Sequence, residues 1–370
     1  MTYNVLAQDL LEQHPYLYQY HDKSCLDWNT RWHNLFKEIK KLNPDILCLQ
    51  EVQESHIKDY FSLLETIGYG SLYKKRTGMR TEGCAVYYKT DMMNLVEYTT
   101  VEFYQRNISI LNRDNVAIVA KFAPKMHPTR EFVIATTHLL YNPRRQDVRL
   151  AQTQVLLSEV ERISYNKKLQ DSYLPIIITG DLNSTPDSAL YDFLINGALN
   201  YEILAPKLLA KGTNTFGHGK VLIPPTLRIT DNCQHADLVK KRRENSKITR
   251  SEELAIIKLI NEDKLVDKIE EVVKEEKKLF STGTLSHDFA FKSVYNHGDG
   301  NDEEGTTFQD EWCTVDYIFY SGRRNETKEK LKLLSRYRLP TRGELRDVRI
   351  PNSVLGSDHL SLMAKFKLEY

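Results

Sequence analysis

A short apolar stretch followed by two polar residues most constrains what this chain of 370 residues can fold into. Residues 174–186 contain three consecutive isoleucines between a proline and a glycine, which predicts a short and fully buried strand. The chain then turns at Gly180 and carries Asp181 and Asn183, whose spacing places both side chains on one side of an extended backbone. A carboxylate beside an amide oxygen suits Mg²⁺, although the same residues also cap ordinary turns between a strand and a helix.

The composition predicts a globular chain without a strong charge bias. Hydrophobic residues make up 41% and charged residues 27% of the sequence, and no run approaches about eighteen apolar residues, so no membrane partner is expected. Because the formal net charge is +1, any nucleic-acid surface must be a local patch. The five cysteines form no C-x-x-C pair, which argues against a disulfide framework or a zinc ribbon and favours a reducing compartment.

The amino-terminal residues bear on targeting. Residues 2–6 resemble a strand, begin directly after Met1 and do not form a signal peptide. Because a domain rarely begins inside its first strand, we expect an upstream segment that carries any targeting information. Together with the unpaired cysteines, this favours a cytoplasmic location, with the nucleus as the alternative.

Periodicity along the chain predicts strands mixed with helices. Residues 28–42 carry apolar side chains at helical spacing, and Pro44 ends that helix. Further helices are predicted near residues 54–67, 151–163 and 187–193. Strands are predicted at residues 2–6, 45–50, 70–75, 84–88, 116–122, 132–137, 174–180, 314–320, 332–338 and 363–368. This order predicts an α/β fold with a mixed sheet system and helices on the outside.

Four of the predicted strands end in a polar residue: Asn4, Glu51, His138 and Asp181. Open α/β sheets bind ligands outside the carboxyl ends of their strands, so we expect these side chains to share a site. Asp316 begins a later predicted strand, and Asp358 and His359 precede the last one. Taken singly, each has an ordinary alternative, because a histidine after a strand is often an edge residue and an Asp-His pair can cap a turn.

The composition changes between about residues 231 and 286. Residues 240–279 contain twelve Lys or Arg and ten Asp or Glu, with apolar residues at partial helical spacing. This predicts a charged helical insertion into one catalytic domain that spans residues 1–370. We expect the insertion to be solvated, with RNA binding through its basic start at residues 240–243 as the alternative.

Six short motifs, in this order, resemble the endonuclease/exonuclease/phosphatase superfamily: Y-N-V-L, L-Q-E-V, T-H-L, G-D-L-N-S-T-P, V-D-Y-I-F and S-D-H-L. Within it, residues 76–85, 111–116 and 137–145 are similar to the Angel proteins, relatives of the deadenylases. The resemblance implies a four-layer sandwich of two stacked mixed β-sheets flanked by helices. It also implies Mg²⁺-assisted hydrolysis of phosphate esters, with Mn²⁺ as the alternative ion. Because Angel-like enzymes are associated with RNA 2′,3′-cyclic phosphate ends, the expected partner is an RNA 3′ end.

The resemblance implies a metal site. Glu51 would be the principal ligand, supported by Asn4, Asp181 and Asp358. If the carboxylates of Glu51, Asp181, Asp358 and Asp316 converge, each pair about 4 Å apart repels by roughly 4 kcal/mol at an effective dielectric constant near 20. A bound cation or protonation must offset that repulsion. A bound Mg²⁺ would do so and would also polarise the phosphate.

The resemblance also implies catalytic roles. Asp181 and Asn183 would position the attacking water and the scissile phosphate. His359 would contact the phosphate or transfer a proton, oriented by Asp316, because Asp–His pairs commonly work in this way. His138 would donate a further hydrogen bond to the phosphoryl oxygens.

The predicted substrate residues are Asn142, Pro143, Arg144, Arg145 and Trp312. The two arginines suit a phosphate, with a solvated pair as the alternative. By resemblance, deadenylases hold an adenine between a proline and an aromatic ring, and Glu311 stands here where the ring would be. Base stacking is worth roughly 1–3 kcal/mol, and Glu311 cannot supply it. We therefore expect removal of a 2′,3′-cyclic phosphate to be preferred over removal of poly(A). A 3′–5′ exoribonuclease and a catalytically idle scaffold that binds RNA remain the alternatives.

Overall fold

Two β-sheets that face each other form the centre of the fold. The computed structural model describes residues 1–167, 173–202, 222–244, 279–280, 282–297, 303–309, 311–322, 330–346 and 348–369. The strands of these residues, in chain order, are β1 (Thr2–Asn4), β2 (Ile46–Gln53), β3 (Tyr69–Lys75), β4 (Glu82–Lys89), β5 (Met93–Glu102), β6 (Val116–Pro124), β7 (Phe132–His138), β8 (Ile176–Asp181), β9 (Ala198–Asn200), β10 (Thr284–Ser286), β11 (Phe291–Ser293), β12 (Thr307–Gln309), β13 (Glu311–Cys313), β14 (Asp316–Ser321), β15 (Leu331–Arg336) and β16 (Ala364–Leu368). The helices are α1 (Gln8–Gln13), α2 (Trp28–Leu42), α3 (Leu63–Thr66), α4 (Gln146–Ser164), α5 (Ala189–Asn196), α6 (Ala236–Arg243) and α7 (Arg342–Leu345).

Both large sheets are mixed. The first has the order β1-β2-β4-β3, with β1 parallel to β2 and the other neighbours antiparallel. The second has the order β11-β14-β8-β7-β6-β5, in which only β7 and β8 are parallel. The pairs β9–β10, β12–β13 and β15–β16 are separate antiparallel ribbons. The predicted mixed sheet system is therefore confirmed.

Apolar side chains from both sheets meet in one buried layer. Val86 from the first sheet packs in the same cluster as Ile118, Ile134 and Ile318 from the second. Successive side chains along each strand point to opposite faces of the sheet, so the outer face of each sheet can pack against helices. The helices α2 and α3 cover the first sheet, and α4 and α5 cover the second. This is the four-layer sandwich that the sequence predicted.

Helix α2 has the predicted bounds because its local sequence specifies both of its ends. The Asp27 side chain accepts a hydrogen bond from the backbone N–H of Thr30 at 3.2 Å, and Asn43 ends the helix in the left-handed conformation. Its apolar stripe, which includes Leu35 and Ile39, is fully buried against the first sheet. Local capping and apolar periodicity here indicate the same element.

Several elements differ from prediction, and two of them have a clear physical reason. Strand β5 was not predicted, because it is an edge strand whose side chains alternate between half-buried and exposed without a continuous apolar run. The helix predicted near residues 54–67 is instead a 3₁₀ turn at Glu54–His56, a π turn at Ile57–Phe61 and the short helix α3. None of the described helices is both long enough and apolar enough to cross a membrane.

Residues flanking the predicted insertion are packed against the core. On α4, which is buried along nearly its whole length, Glu159 lies 2.6 Å from the His235 ring and Glu161 lies 2.6 Å from the Arg242 guanidinium. Asp231 is buried and accepts a hydrogen bond from the Thr282 amide at 2.7 Å. These charged residues at both ends of the predicted insertion therefore pair with partners in the core. Residues 245–278 lie outside the described residues, and the insertion there remains a prediction.

Candidate active site

The carboxyl ends of strands from both sheets meet at one edge of the sandwich. Strands β7 and β8 are parallel and in register, so His138 lies beside Asp181, and β14 places Asp316 opposite Asp181 from the other side. The Asn4 amide nitrogen, from β1, donates to Glu51 at 2.9 Å and to Asp181 at 3.1 Å. The structure thus brings together four residues predicted from the ends of separate strands.

Asn4 is oriented as a hydrogen-bond donor toward the carboxylates, which differs from its predicted role as a metal ligand. Its carbonyl oxygen accepts from the Leu6 amide at 3.0 Å and is therefore already engaged. An amide N–H cannot bind a cation, so in this orientation Asn4 holds Glu51 and Asp181 in place. Its short side chain bridges the two sheets, which is a tertiary relationship that the sequence does not show.

Glu51 reaches the site through an irregularity in β2. The pairing of β2 with β4 shifts register between Leu49 and Val52, and Glu51 adopts the left-handed conformation with φ 60°. This conformation costs free energy for a residue other than glycine, and it persists only where contacts with the surrounding structure hold the backbone in place. The Ala7 amide donates to Glu51 Oε2 at 3.0 Å, which holds the carboxylate in that position. The bulge turns the carboxylate toward Asp181.

The two central carboxylates, Glu51 and Asp181, have raised pKa values. Burial, with the charges of Asp358 and Glu82, raises the pKa of Glu51 to about 7. Burial and the charge of Asp316 also raise the pKa of Asp181 above its ordinary value. A site that holds two neighbouring carboxylates with raised pKa values is electrostatically prepared for a cation.

His359 and Asp316 form a buried pair. The His359 Nδ1 lies 2.8 Å from Asp316 Oδ2, and its Nε2 lies 3.8 Å from Asp181 Oδ2. Burial lowers the pKa of His359, but the charges of Asp316, Asp358 and Asp181 outweigh it and raise the pKa well above the ordinary value. The imidazole is therefore protonated, with Asp316 holding the ring in one orientation.

His138 differs from His359 in its charge. Burial, with the positive charges of Arg76 and His359, lowers the pKa of His138 well below its ordinary value, so the ring is neutral. Its Nε2 lies 3.6 Å from Asp181 Oδ2, and its buried Nδ1 has no hydrogen-bond partner among the described residues. A buried polar atom without a partner at the edge of a cavity is suited to bind a ligand.

Asp358 is held by two residues that sequence reasoning missed. The Tyr18 hydroxyl donates to Asp358 Oδ2 at 2.8 Å. The guanidinium of the fully buried Arg31 donates to the carbonyl oxygens of Leu6 at 2.7 Å and Gly356 at 3.0 Å, joining the segments that carry Asn4 and Asp358. Tyr18 lies in a 3₁₀ turn with no periodic pattern, whereas Arg31 is a cation on the buried face of α2, which could have indicated its role.

A cavity of about 340 Å³ opens onto these groups. Its lining includes Asn142 and Asn183, together with Asn115, whose amide donates to the His138 carbonyl oxygen at 3.0 Å. The loop carrying Asn142 is held by Arg149, which donates to the Asn142 carbonyl oxygen at 2.8 Å. Its size and mixed apolar and polar lining suit a nucleotide-sized ligand.

The other predicted substrate residues lie apart from the cavity lining. Trp312 does not line the cavity, because its ring is buried in the core against Phe308 and its Nε1 donates to the Val348 carbonyl oxygen at 3.1 Å. Since β13 alternates sides, the inward ring leaves its neighbour Glu311 exposed. Pro143, Arg144 and Arg145 follow Asn142 on the same loop, just beyond the cavity lining.

The donors at this edge fit a divalent cation. Glu51 and Asp181 offer carboxylate oxygens held by one shared amide, which is the oxygen chemistry that Mg²⁺ and Mn²⁺ prefer. Asp181, Asp316 and His359 also place ligand atoms within 4.8 Å of one another. In that second group, however, Asp316 and His359 are hydrogen-bonded to each other, so Glu51 and Asp181 form the better core of a metal site.

Sequence comparisons relate the whole chain to known proteins. A family model described as the Endonuclease/Exonuclease/phosphatase family matches residues 1–359. Protein angel homolog 2 of Bos taurus is 38% identical over 392 residues, covering 100% of this chain and 69% of that protein. Protein angel homolog 1 of Rattus norvegicus is 36% identical over 423 residues, covering 100% of this chain and 63% of that protein.

Solved structures show the same similarity. A crystal structure of ANGEL2, a 2′,3′-cyclic phosphatase, in complex with adenosine-2′,3′-vanadate is 36% identical, with a TM-score of 0.79 over 100% of this chain and 95% of that one. The human Nocturnin catalytic domain with bound sulfate is 22% identical, with a TM-score of 0.57, and shares the fold.

Proposed function

We propose that this chain, which belongs to the endonuclease/exonuclease/phosphatase family and within it to the Angel proteins, removes 2′,3′-cyclic phosphates from RNA 3′ ends. The observation that carries the proposal is the group of the buried Asp181, His138 and His359 with the nearly buried Glu51, beside a nucleotide-sized cavity. Similarity to ANGEL2, a 2′,3′-cyclic phosphatase, supports the choice of substrate.

A divalent ion belongs to this proposal, because enzymes of the family generally depend on one. Glu51, Asp181 and Asp358 would hold it, with Mg²⁺ proposed first and Mn²⁺ as the alternative. When bound, the ion neutralises these carboxylates and polarises the phosphate. Asn4 and Tyr18 keep the carboxylates in place through their hydrogen bonds.

The side chains of this site divide the proton transfers between them. Asp181, whose Oδ1 accepts a hydrogen bond from the Asn183 backbone amide at 2.9 Å, would position the attacking water and accept its proton. Protonated His359 donates to the departing ribose oxygen or to the phosphoryl group, and Asp316 holds its ring in place. Neutral His138 would orient the phosphate through its unpartnered Nδ1, beside Asn183, whose amide nitrogen also donates to the Leu139 carbonyl oxygen at 2.9 Å.

Complete removal of the phosphate takes two hydrolytic events. In the first, a water oxygen bonds to phosphorus and one ribose oxygen leaves, takes a proton and becomes a hydroxyl. In the second, another water breaks the remaining phosphorus–ribose bond, which releases inorganic phosphate and a 2′,3′-diol. Each event consumes one water and returns one proton to the leaving oxygen, so neither needs a redox partner.

Processive removal of poly(A) is the weaker candidate. No described aromatic side chain from the β12–β13 ribbon lines the cavity, since Trp312 is buried and Glu311 is exposed. An adenine clamp would therefore lose a stacking contact worth roughly 1–3 kcal/mol. The acidic Glu311 would also repel a phosphate backbone.

The proposal is tested with RNAs of one sequence that end in a 2′,3′-cyclic phosphate, a 3′-phosphate or poly(A). We expect wild type to remove the cyclic phosphate with Mg²⁺ or Mn²⁺ and to lose this activity in EDTA. Glu51→Gln should lower the activity on the cyclic phosphate by more than the roughly 10- to 100-fold loss that is typical when a hydrogen-bond partner of a metal ligand is removed. Glu54→Gln, the same change at an exposed neighbouring carboxylate, is the matched control.

Two results would overturn the proposal. Faster shortening of poly(A) than removal of the cyclic phosphate would assign the chain to the deadenylases, and Glu311→Phe should then increase poly(A) activity further. Absence of turnover on all three RNAs, with metal binding shown by calorimetry, would identify an RNA-binding scaffold.

A further inference from the structure

The two walls of the cavity differ in charge. One wall comes from residues 5–22, a stretch with no Lys or Arg that carries Asp9, Glu12 and Asp22. Its side chains that line the cavity are mainly apolar or aromatic: Leu6, Leu10, His14, Tyr16, Leu17 and Tyr18. Another part of the lining comes from the loops at residues 76–81, 112–115 and 140–145, through Arg76, Arg80, Asn115 and residues 140–142, while Arg113, Arg144 and Arg145 lie just beyond it. These loops carry five arginines, namely Arg76, Arg80, Arg113, Arg144 and Arg145.

Asp114 fixes two of the arginine-bearing loops against each other. Its carbonyl oxygen accepts from the Thr77 amide at 3.2 Å, and its carboxylate accepts from the Thr77 hydroxyl at 2.7 Å. The carboxylate also lies 3.9 Å from Arg80 Nε. The adjacent Asn115 is bonded to the carbonyl oxygen of His138 at 3.0 Å. Arg80 and Arg113 are therefore held at a defined place relative to the catalytic residues.

The five arginines are not equally committed to protein partners. Arg76 pairs with Glu82 at 2.7 Å and Arg145 pairs with Asp147 at 2.9 Å, and both of these carboxylates are buried. Arg113 donates to the backbone carbonyl oxygen of Asn112 at 3.0 Å and to its side-chain oxygen, and no carboxylate of the described residues forms an ion pair with it within 4.0 Å.

Arg113 is also close to a like charge. Burial and the charge of Arg145 lower the pKa of Arg113. Arg144 is exposed on the same loop as Arg145. Asp147 and Asp114 offset part of this repulsion. A further anion would offset more of it, and planar guanidinium groups match the geometry of phosphate.

We propose that Arg80, Arg113 and Arg144, named here the arginine wall, bind the phosphodiester backbone of the RNA immediately 5′ of its terminal nucleotide. The preferred substrate is then an RNA strand and not a mononucleotide. The inference rests on the proposed function, since it assumes that the terminal cyclic phosphate occupies the catalytic edge. The acidic and apolar wall from residues 5–22 repels the backbone and leaves its apolar surface to the base.

The test compares adenosine 2′,3′-cyclic phosphate with oligonucleotides of two, four and eight residues that end in the same group. For wild type, kcat/KM should rise about tenfold or more from the mononucleotide to the longer strands, mainly through KM. Arg113→Glu should remove most of this gain while leaving kcat on the mononucleotide unchanged. Lys332→Glu makes the same charge change on β15, outside the cavity lining, and should behave as wild type.

Salt dependence provides a second readout that a folding defect does not imitate. Each phosphate contact on a single strand contributes about −0.7 to the slope of log affinity against log salt, so Arg113→Glu should give a slope shallower by about that amount. Binding is measured by fluorescence anisotropy of a labelled octanucleotide in EDTA, where no turnover occurs. Thermal melting at the wild-type temperature shows that the variant is folded.

Failures of the two proposals are distinguishable. Turnover of all cyclic phosphates with equal kcat/KM, or a length gain that Arg113→Glu retains, overturns the arginine wall and leaves the proposed function standing. Binding that depends on Arg113 without turnover of any cyclic phosphate supports the wall and overturns the proposed function. Equal competition by polyglutamate of matched charge would show a general anion surface and overturn the assignment to RNA.

Discussion

At the scale of single residues, the site holds charges that the fold alone does not favour. Glu51 has a strained backbone with φ 60° and a carboxylate whose pKa is raised to about 7, chiefly by burial. Neither feature helps the chain to fold, because strain and buried charge both cost free energy. Both are explained if the residue serves a bound cation, so removing its charge should stabilise the metal-free protein.

The pH dependence of stability tests this explanation. The folded state binds a proton at Glu51 more tightly than the unfolded chain does. The contribution of this carboxyl group to the free energy of unfolding is therefore full below about pH 4.5, and it is lost as pH rises to about 7. In EDTA, Glu51→Gln should therefore gain stability over wild type between pH 5 and pH 8, by roughly 3 kcal/mol. Urea unfolding at each pH measures the difference.

Comparing wild type with Glu51→Gln separates the effect of Glu51 from that of groups whose titration changes stability with pH in the opposite direction. His138 is one of these, because its lowered pKa makes the folded state more stable as pH rises toward the ordinary histidine value. Saturating Mg²⁺ or Mn²⁺ should raise the stability of wild type at pH 8 and have little effect on Glu51→Gln. A pH-independent difference between the two proteins would show that Glu51 is not an unfavourable buried charge.

At the scale of elements, the pairing of β7 with β8 sets the separation of His138 and Asp181. Gly180 lies beside Thr137 in this ladder, with φ +133°, one residue before Asp181. A Cβ at this position would lie 2.0 Å from the carbonyl oxygen of Thr137, so the two strands approach too closely for any other residue. One glycine therefore controls how two functional side chains face each other.

Gly180→Ala should disrupt this edge of the sheet. We expect a loss of about 3 kcal/mol or more, because both the backbone angle and the contact with Thr137 are incompatible with a side chain. Gly68→Ala is the matched control, since Gly68 has φ +93° but nothing within 4 Å of the added Cβ, and it should cost only about 1 kcal/mol. Thermal unfolding measures both variants, and equal losses would contradict the close approach of β7 and β8.

At the scale of the whole molecule, α4 connects the site to the far side of the protein. Toward the site, Gln152 and Arg149 hold the loop at Leu140 through bonds of 3.1 and 3.2 Å. On the other side, Glu159 and Glu161 bind side chains from residues 222–244. Burial raises the pKa of Glu159, but His235 and Arg162 outweigh burial and lower this pKa to about 2. Residues 222–244, named here the covering segment, therefore stabilise the ionised form of Glu159 through His235.

Two deletions separate the covering segment from the predicted insertion. Replacing residues 245–278 by a short Gly/Ser linker should leave the melting temperature and the turnover of a mononucleotide close to wild type. Replacing residues 236–278 also removes Arg242, which pairs with Glu161 and lies 3.7 Å from the ring centre of Tyr165, and should destabilise strongly because Glu161 stays buried without its cation. Loss of cooperative unfolding in the shorter deletion would place residues 245–278 in the core.

The sequence by itself determined the features that depend on near neighbours. Caps and apolar spacing set the bounds of α2, and the isoleucine run set β8. Polar residues at the ends of strands, including His138 and Asp181, identified the edge where the site lies. These features follow from local backbone geometry, in which each strand or helix presents its side chains at a known period.

Only the tertiary structure decided features that depend on residues far apart in the chain. It buried Trp312, because the ring packs on Phe308 and the loop at Val348, and it turned Asn4 into a bridge between two sheets. It also made the charged residues near Arg242 part of the core, since their partners lie on α4. Burial and pairing are properties of the folded surroundings, so neither residue type nor spacing specifies them.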